Sequence, residues 1–144
     1  MDLKWDETET ARGAYNFSSY DQLQVAMAAK GVRLWLILDY SNPIYCPNGT
    51  SPITPEQQAA FAKWSTAAAA HYAGRDLPAP IYEIYNEANI GFWRPTPNAT
   101  QYGSLAVMTA KSIKVSARRR TCPKTRRRGG RDARAPVVVA STAA

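Results

Sequence analysis

The stretch GVRLWLILDYSNPIYCPNGTSPITPEQQAAFAKWSTAAAAHYAGRDLPAPIYEIYNEAN, residues 31–89, decides the fold class of this chain. Its almost continuous apolar run at 32–40 is typical of a strand that is buried on both faces. A helix start follows at 54–57, with a threonine cap, a proline and a glutamine, and this predicts a helix over 55–73. A second aromatic and β-branched run predicts a strand at 81–85. Two strands that are separated by a full helix are expected to pair in parallel.

Further helices flank this unit on both sides. The segment 20–30 has a helical apolar period, Ser19 and Gln22 fit a capping box, and Gly31 suits a left-handed helix end. A third helix is predicted over about 100–114. The order helix, strand, helix, strand, helix predicts an α/β fold with a parallel sheet.

Length and composition limit the class of protein. A chain of 144 residues, 45% of them hydrophobic, suits one globular domain rather than a disordered chain. No apolar run approaches the roughly 18 residues of a membrane helix, so no membrane partner is expected. Residues 1–110 carry seven basic and ten acidic side chains, a net charge of −3, whereas 111–144 carry eleven and one, a net charge of +10. The overall charge of +7 therefore says little about the partners of the body.

Charge and composition divide the chain into three parts: a body at 1–114, an Arg-rich segment at 115–135, and a possible further strand with a tail at 136–144. Three interpretations of the Arg-rich segment stay open. It is a sequence read in the wrong frame or through an unspliced segment, a disordered insert, or a nucleic-acid site over 118–134. No aromatic residues interleave the arginines, so a platform for stacking single-stranded bases is unfavoured.

The cysteine and asparagine residues say little about the function or the compartment of the protein. Cys46 and Cys122 are too few for a disulfide framework and lack metal-binding spacing, and no cofactor or metal motif occurs, so neither a cofactor nor a metal is predicted. Three sequons, at Asn16, Asn48 and Asn98, favour a secreted parent only weakly. The acidic start does not resemble a signal peptide, so the compartment stays open. The oligomeric state stays open as well.

The segment 83–89, EIYNEAN, carries the chemistry. Asn86 and Glu87 place an amide and a carboxylate where a parallel strand ends, which is the edge where ligands bind in α/β folds. A carboxylate there can protonate a leaving oxygen, and the amide can bond a sugar hydroxyl. On these residues alone a capped turn is the favoured alternative. Aromatic residues, whose faces suit sugar rings, crowd the same edge: Tyr85, Phe92 and Trp93.

As a set, five segments resemble the retaining glycoside hydrolases of the (β/α)8-barrel clan, of the family 5 and family 39 type, which includes cellulases and β-xylosidases. They are DLKWDETETARGAYNFSSYDQL (2–23), GVRLWLILDYSNPIY (31–45), EIYNEANIGFW (83–93), SLAVMTAKSIK (104–114) and PVVVAS (136–141). The first three resemble the second, third and fourth barrel strands, and the last is a candidate fifth strand. The resemblance implies a partial, incomplete TIM barrel and a carbohydrate substrate.

The resemblance also implies roles for six residues. Glu87 matches the general acid/base, and Asn86 matches the residue that bonds the 2-hydroxyl of the sugar. Four more lie where the clan lines its substrate cleft: Trp5, Asp39, Tyr40 and Trp93. Two departures stand out, since Tyr85 replaces the usual tryptophan and Ala88 replaces the proline that restricts the backbone after the glutamate.

A second catalytic carboxylate is missing from the pattern. Retaining hydrolysis needs two carboxyl groups about 5–5.5 Å apart, yet the only acid after Glu87 is Asp132, in the Arg-rich segment. Glu83 lies four residues away on the same strand, roughly 13 Å, and is expected to be buried and structural. His71, the sole histidine, is expected to be a packing or surface residue of its helix. The chain therefore reads as a fragment of a glycosidase, inactive alone.

Two non-catalytic functions stay open beside this one. The first is a carbohydrate-binding remnant that uses Trp93, Trp5 and Asn86. The second, less favoured, is nucleic-acid binding through the Arg-rich segment, whose affinity would fall steeply with salt.

Overall fold

The computed structural model describes residues 1–120 and 137–140, apart from the side chains of 118–120 and 140. The elements in chain order are β1 (Asp2–Lys4), α1 (Trp5–Thr8), β2 (Glu9–Ala11), β3 (Ala14–Tyr15), α2 (Ser18–Ala29), β4 (Trp35–Asp39), α3 (Pro55–Ala73), β5 (Ile81–Ile84), α4 (Ala99–Arg120) and β6 (Val137–Ala140).

Four of the strands form one parallel sheet in the order β1-β4-β5-β6. Strands β2 and β3 form a separate two-stranded antiparallel hairpin after β1. The helices α3 and α4 connect successive strands of the parallel sheet and pack closely on one another. This arrangement confirms the predicted α/β fold and is consistent with part of a (β/α)8 barrel. The predicted further strand in PVVVAS is confirmed as β6.

The two faces of the sheet differ in burial. One face carries the apolar core beneath the helices, and its members are fully buried: Leu3, Leu36, Leu38, Tyr82 and Ile84. On the other face Trp35 is 48% exposed, and Ile37 and Glu83 are half-buried. The expectation that the strand at 32–40 is buried on both faces is therefore wrong for its first residues. The physical reason is that the described residues leave this face of the sheet open, so Trp35 is covered only in part.

The helix boundaries follow local signals only in part. At α3 the capping box is confirmed, because the Thr54 hydroxyl accepts from the Gln57 backbone and the Gln57 side chain accepts from the Thr54 backbone. The capping box predicted at Ser19 is wrong. Helix α2 begins at Ser18, whose backbone N–H donates to Oδ1 of Asn16.

Helix α4 continues to Arg120, six residues beyond the predicted end at Lys114. The rest of the Arg-rich segment, with Cys122 and Asp132, lies outside the described residues, and the three-part division of the chain stays a prediction. Within the described part, no helix is both long and apolar enough to cross a bilayer.

Two side chains excluded from catalysis have structural partners. The Nε2 atom of His71 lies 2.7 Å from Oδ1 of Asp21, and Arg75 contacts the other oxygen of Asp21 at 2.9 Å. This cluster joins α2 to the end of α3, so the packing role of His71 is confirmed. Glu83 accepts a hydrogen bond from Nε1 of Trp35 at 2.9 Å, but it is half-buried rather than buried, because it lies on the open face of the sheet.

Candidate functional site

The site is built at the carboxyl edge of the parallel sheet, where β4 and β5 end side by side. Leu38 of β4 pairs with Ile84 of β5, so the residues that follow each strand lie next to one another. Tyr40 follows β4 and Asn86 follows β5, and Nδ2 of Asn86 donates to the Tyr40 hydroxyl oxygen at 3.1 Å. The structure thus brings together two of the residues that the sequence singled out, 46 positions apart.

Glu87 projects from this edge into solvent. It is exposed, and its carboxylate forms no hydrogen bond within the described part of the chain. Its backbone φ is 47°, and that of Tyr85 is 60°, so the residues on both sides of Asn86 are left-handed. This conformation costs roughly 1–2 kcal/mol for each residue that has a Cβ, so surrounding contacts must hold it.

Tyr85 anchors the turn from below. Its ring is 1% exposed, and its backbone N–H donates to the carbonyl oxygen of Leu38 at 3.0 Å. The phenol donates to the carbonyl of Phe92 at 2.9 Å and lies 2.6 Å from the hydroxyl of Ser51. Burial raises the pKa of Tyr85 to about 12, so the phenol stays protonated and able to donate at neutral pH.

Asp39 is the most perturbed group of the site. It is 0% exposed, and neither carboxyl oxygen has a hydrogen-bond partner among the described residues. Burial, with a further contribution from the charge of Asp2, raises the pKa of Asp39 to about 8. The predicted place of Asp39 in a sugar-lining surface is therefore not what the structure shows, because the side chain is enclosed beneath the edge.

Tyr40 remains at the surface in part, and its ring contacts are aromatic. It stacks on Phe92 with ring centroids 5.4 Å apart and an angle of 9° between the planes. The rings of Tyr40 and Tyr85 meet in a T-shaped contact with their centroids 5.4 Å apart. Because Phe92 is 44% exposed, the two stacked rings form an aromatic surface beside Asn86.

The two tryptophans expected to line the cleft, Trp5 and Trp93, are core residues instead. Trp5 is fully buried against Tyr45 and Trp64, and its Nε1 donates to the carboxylate of Glu9 at 2.6 Å. Trp93 is fully buried beneath Tyr85, and its Nε1 donates to Gln101 at 3.3 Å. The reason for this correction is that a buried indole gains apolar contact on every side once its N–H finds an acceptor.

The sequence interpretation missed Ser51. It is 1% exposed and lies in the long proline-containing loop after β4, whose length was itself the only signal of a role. The Ser51 backbone N–H donates to the carbonyl of Arg94 at 3.0 Å, and its hydroxyl accepts from the Arg94 N–H at 2.8 Å. Among residues 1–120 and 137–140, no group of three His, Cys, Asp or Glu side chains is arranged to hold a metal ion.

Taken together, the edge presents one free carboxylate, one oriented amide and one exposed aromatic surface. These are groups that can exchange a proton, bond a hydroxyl and contact an apolar ring face.

No protein-family model and no curated protein matches the chain. A solved structure is similar to it: a family 39 glycoside hydrolase from the gut symbiont Bacteroides cellulosilyticus WH2, with a TM-score of 0.65 and 25% sequence identity. The similarity covers 81% of this chain and 23% of the chain of that enzyme. The chain thus spans about a quarter of the length of the enzyme, and it shares the glycoside hydrolase fold over that part.

Proposed function

We propose that this chain carries the acid/base half of a retaining glycosidase site, which acts on O-glycosidic bonds of an oligosaccharide or polysaccharide. The observation that carries the proposal is the geometry at the end of β5, where Asn86 is bonded to Tyr40 and Glu87 is left free. The similarity to a family 39 glycoside hydrolase supports the reaction class. Glucosides and xylosides, the cellulase and β-xylosidase types of substrate, are the first ones to test.

In this proposal Glu87 protonates the oxygen of the leaving group and later takes a proton from water. Asn86 uses the free part of its amide to bond the 2-hydroxyl of the sugar. The amide is held by Tyr40, so its orientation is set before substrate arrives. The exposed ring of Phe92 contacts the apolar face of the sugar.

The nucleophile is proposed to come from outside the 144 residues. A retaining site needs its second carboxyl group about 5–5.5 Å from the first. Glu83 lies on the open face of the sheet and accepts a hydrogen bond from Nε1 of Trp35, so its carboxylate is directed to Trp35 rather than to the site. Without a nucleophile, cleavage by the chain alone is expected to be near background.

An external nucleophile makes the acid step measurable. The purified chain is incubated with a phenyl β-glucoside or phenyl β-xyloside and sodium azide, and the products are separated by chromatography. Azide attacks the anomeric carbon, the bond from that carbon to the phenolic oxygen breaks, and Glu87 transfers its proton to the departing oxygen. The expected product is the α-glycosyl azide, together with phenol.

The variants Glu87→Gln and Glu56→Gln form a matched pair, because both residues are exposed glutamates and only Glu87 lies at the site. Azide-dependent release of phenol is expected to fall at least about 100-fold in Glu87→Gln, the lower range for general acid catalysis, and to be unchanged in Glu56→Gln. Equal rates in Glu87→Gln and the unsubstituted chain would exclude the acid role.

A carbohydrate-binding function without catalysis is the second candidate, and the exposed aromatic surface of Phe92 and Tyr40 favours it. It predicts saturable binding of oligosaccharide with no azide-dependent product. Nucleic-acid binding through the Arg-rich segment rests on residues that lie almost entirely outside the described part of the chain.

A further inference from the structure

The loop that carries Glu87 is held in its conformation by side-chain hydrogen bonds, because its own sequence does little to restrict the backbone. Tyr85 and Glu87 both hold positive φ angles, of 60° and 47°, and Ala88 does not restrict the backbone as a proline would. The Glu87 carboxylate has no partner in the described residues, so the direction in which its side chain leaves the loop is set by the backbone. Whatever fixes this backbone therefore fixes the direction of the Cα–Cβ bond of Glu87.

Ser51 and Tyr85 form a directed chain of hydrogen bonds across the loop. The Arg94 N–H donates to the Ser51 hydroxyl oxygen at 2.8 Å, and the Tyr85 phenol donates to the carbonyl of Phe92 at 2.9 Å. The Ser51 hydroxyl reaches the same Phe92 carbonyl only at 3.5 Å, so with the shorter bond made by the phenol the Ser51 proton is left to donate to the Tyr85 oxygen at 2.6 Å. Each hydroxyl donates once and accepts once, and both side chains are about 1% exposed, so water competes little for these bonds.

This chain joins both ends of one loop to a neighbouring loop. Tyr85 stands at the start of the segment and Arg94 at its end, and Ser51 belongs to the loop after β4. Between these points, the N–H of Ile90 donates to the carbonyl of Glu87 at 3.2 Å, and that of Trp93 to the carbonyl of Ile90 at 3.0 Å. The buried hydroxyl groups of Ser51 and Tyr85 thus tie together the two ends of the loop that contains Glu87. We call this set of hydrogen bonds the bracket.

From this geometry we infer that Ser51 and Tyr85 are positioning residues, which aim the Glu87 carboxylate without touching substrate. The inference rests on the proposed function for its catalytic meaning, whereas the bracket itself is a property of the fold. The two parts therefore need separate measurements.

The first measurement is hydrogen exchange at the Ile90 and Trp93 amides, which bond neither Ser51 nor Tyr85. In Tyr85→Phe and Ser51→Ala these amides are expected to exchange about tenfold faster, roughly the effect of one lost hydrogen bond. Ser51→Thr, which keeps the hydroxyl, is expected to restore slow exchange. Unchanged exchange at both amides, or an equal acceleration at amides in the middle of α3, overturns the inference.

Matched controls separate this effect from a general loss of stability. Tyr20→Phe removes another phenol, which contacts the Glu7 carboxylate and the Lys4 backbone N–H and bonds no residue of the loop. Ser65→Ala removes a buried hydroxyl that bonds the Phe61 carbonyl within α3. Neither control is expected to change exchange at Ile90 or Trp93, and an equal change there would contradict the inference.

The second measurement uses the azide reaction with two leaving groups. A dinitrophenyl glycoside releases its phenolate without a proton, whereas a phenyl glycoside needs the acid. If Tyr85 aims Glu87, Tyr85→Phe is expected to lower kcat at least about tenfold on the phenyl substrate, with the dinitrophenyl substrate near the unsubstituted rate. An equal loss on both substrates contradicts a positioning role. If the unsubstituted chain gives no product on the phenyl substrate, the proposed function fails, and hydrogen exchange alone decides whether the bracket fixes the loop.

Discussion

The side-chain amide of Asn86 and the phenol of Tyr40 meet at 3.1 Å, across the ends of two neighbouring parallel strands. The bond uses one amide proton and leaves the carbonyl oxygen and the second proton of Asn86 available. Tyr40 is itself fixed by stacking on Phe92. An amide at the proposed sugar site is thus oriented by an aromatic residue from a separate strand.

We expect Asn86→Ala and Tyr40→Phe to be coupled. Each substitution removes the same half-buried hydrogen bond, so the double variant should lose less stability than the sum of the single ones. The coupling is expected to be about 0.5–1.5 kcal/mol, measured by urea unfolding of all four proteins. Additive losses would mean that the bond does not contribute. Asn86→Ala combined with Tyr20→Phe, a pair that shares no hydrogen-bond partner, should be additive.

We expect Asp39 to make stability fall as pH rises. Its pKa is raised to about 8 in the folded chain from 3.8 in the unfolded chain, so between these pH values the folded state holds one proton more. Stability from this group is therefore complete below about pH 4 and is lost as pH approaches about 8. The loss is on the order of a few kcal/mol.

The variant Asp39→Asn tests this dependence, because its side chain cannot ionise. Urea unfolding at intervals from pH 4.5 to pH 8.5 should show a shallower decline for Asp39→Asn than for the unsubstituted chain, with the largest difference in slope between about pH 5 and pH 7, where the folded state holds the extra proton. Asp76→Asn, at an exposed position, should leave the decline unchanged. Parallel curves for Asp39→Asn and the unsubstituted chain would contradict the raised pKa. Asp2, Lys4, Glu83 and the N-terminal amine act on Asp39 as well, so they are left unsubstituted.

We expect a sugar to leave the intrinsic tryptophan emission almost unchanged. Trp5 and Trp93 are fully buried, and the exposed Trp35 begins β4, at the opposite end from the site. The variant Phe92→Trp places an indole beside Asn86. Titration with an oligosaccharide should then shift its emission saturably. The same saturable shift in the unsubstituted chain and in Phe92→Trp would place the binding surface elsewhere.

We expect Thr54→Ala to destabilise the chain by about 0.5–2 kcal/mol, since it removes the side-chain acceptor for the first turn of α3. Thr10→Ala, at an exposed position in β2, is the matched control. Thermal or urea unfolding compares the two. A loss that is no larger for Thr54→Ala than for Thr10→Ala would mean that the cap contributes nothing.

Local patterns were enough for the elements from α2 to α4 and for their order, but not for α1 and the β2–β3 hairpin that precede them. The apolar run of β4 and the capping signal of α3 each act over a few residues, so they can be read along the chain. The same holds for the position of Asn86 and Glu87, because a strand end is a local feature. The capping box at Ser19 fails, because Asn16 offers a competing acceptor to the first turn of α2.

The surroundings of the site residues could not be predicted from local patterns. Trp5 and Asp39 were expected at a sugar-lining surface, and both are fully buried. Burial depends on which elements pack together, and Trp5 is enclosed by Tyr45 and Trp64 from distant segments. Ser51 escaped notice for the same reason, since its partners lie 34 and 43 positions away.

The sequence by itself determined the α/β class, the parallel pairing of β4 with β5, and the place of Asn86 and Glu87 at a strand end. It did so because periodicity, capping and strand ends are short-range properties of the chain. Only the tertiary structure decided which aromatic rings are exposed, which carboxyl group is enclosed, and which hydroxyl groups bracket the Glu87 loop. Those properties arise where segments far apart in sequence meet, and the free energy of burying a side chain depends on all of its neighbours at once.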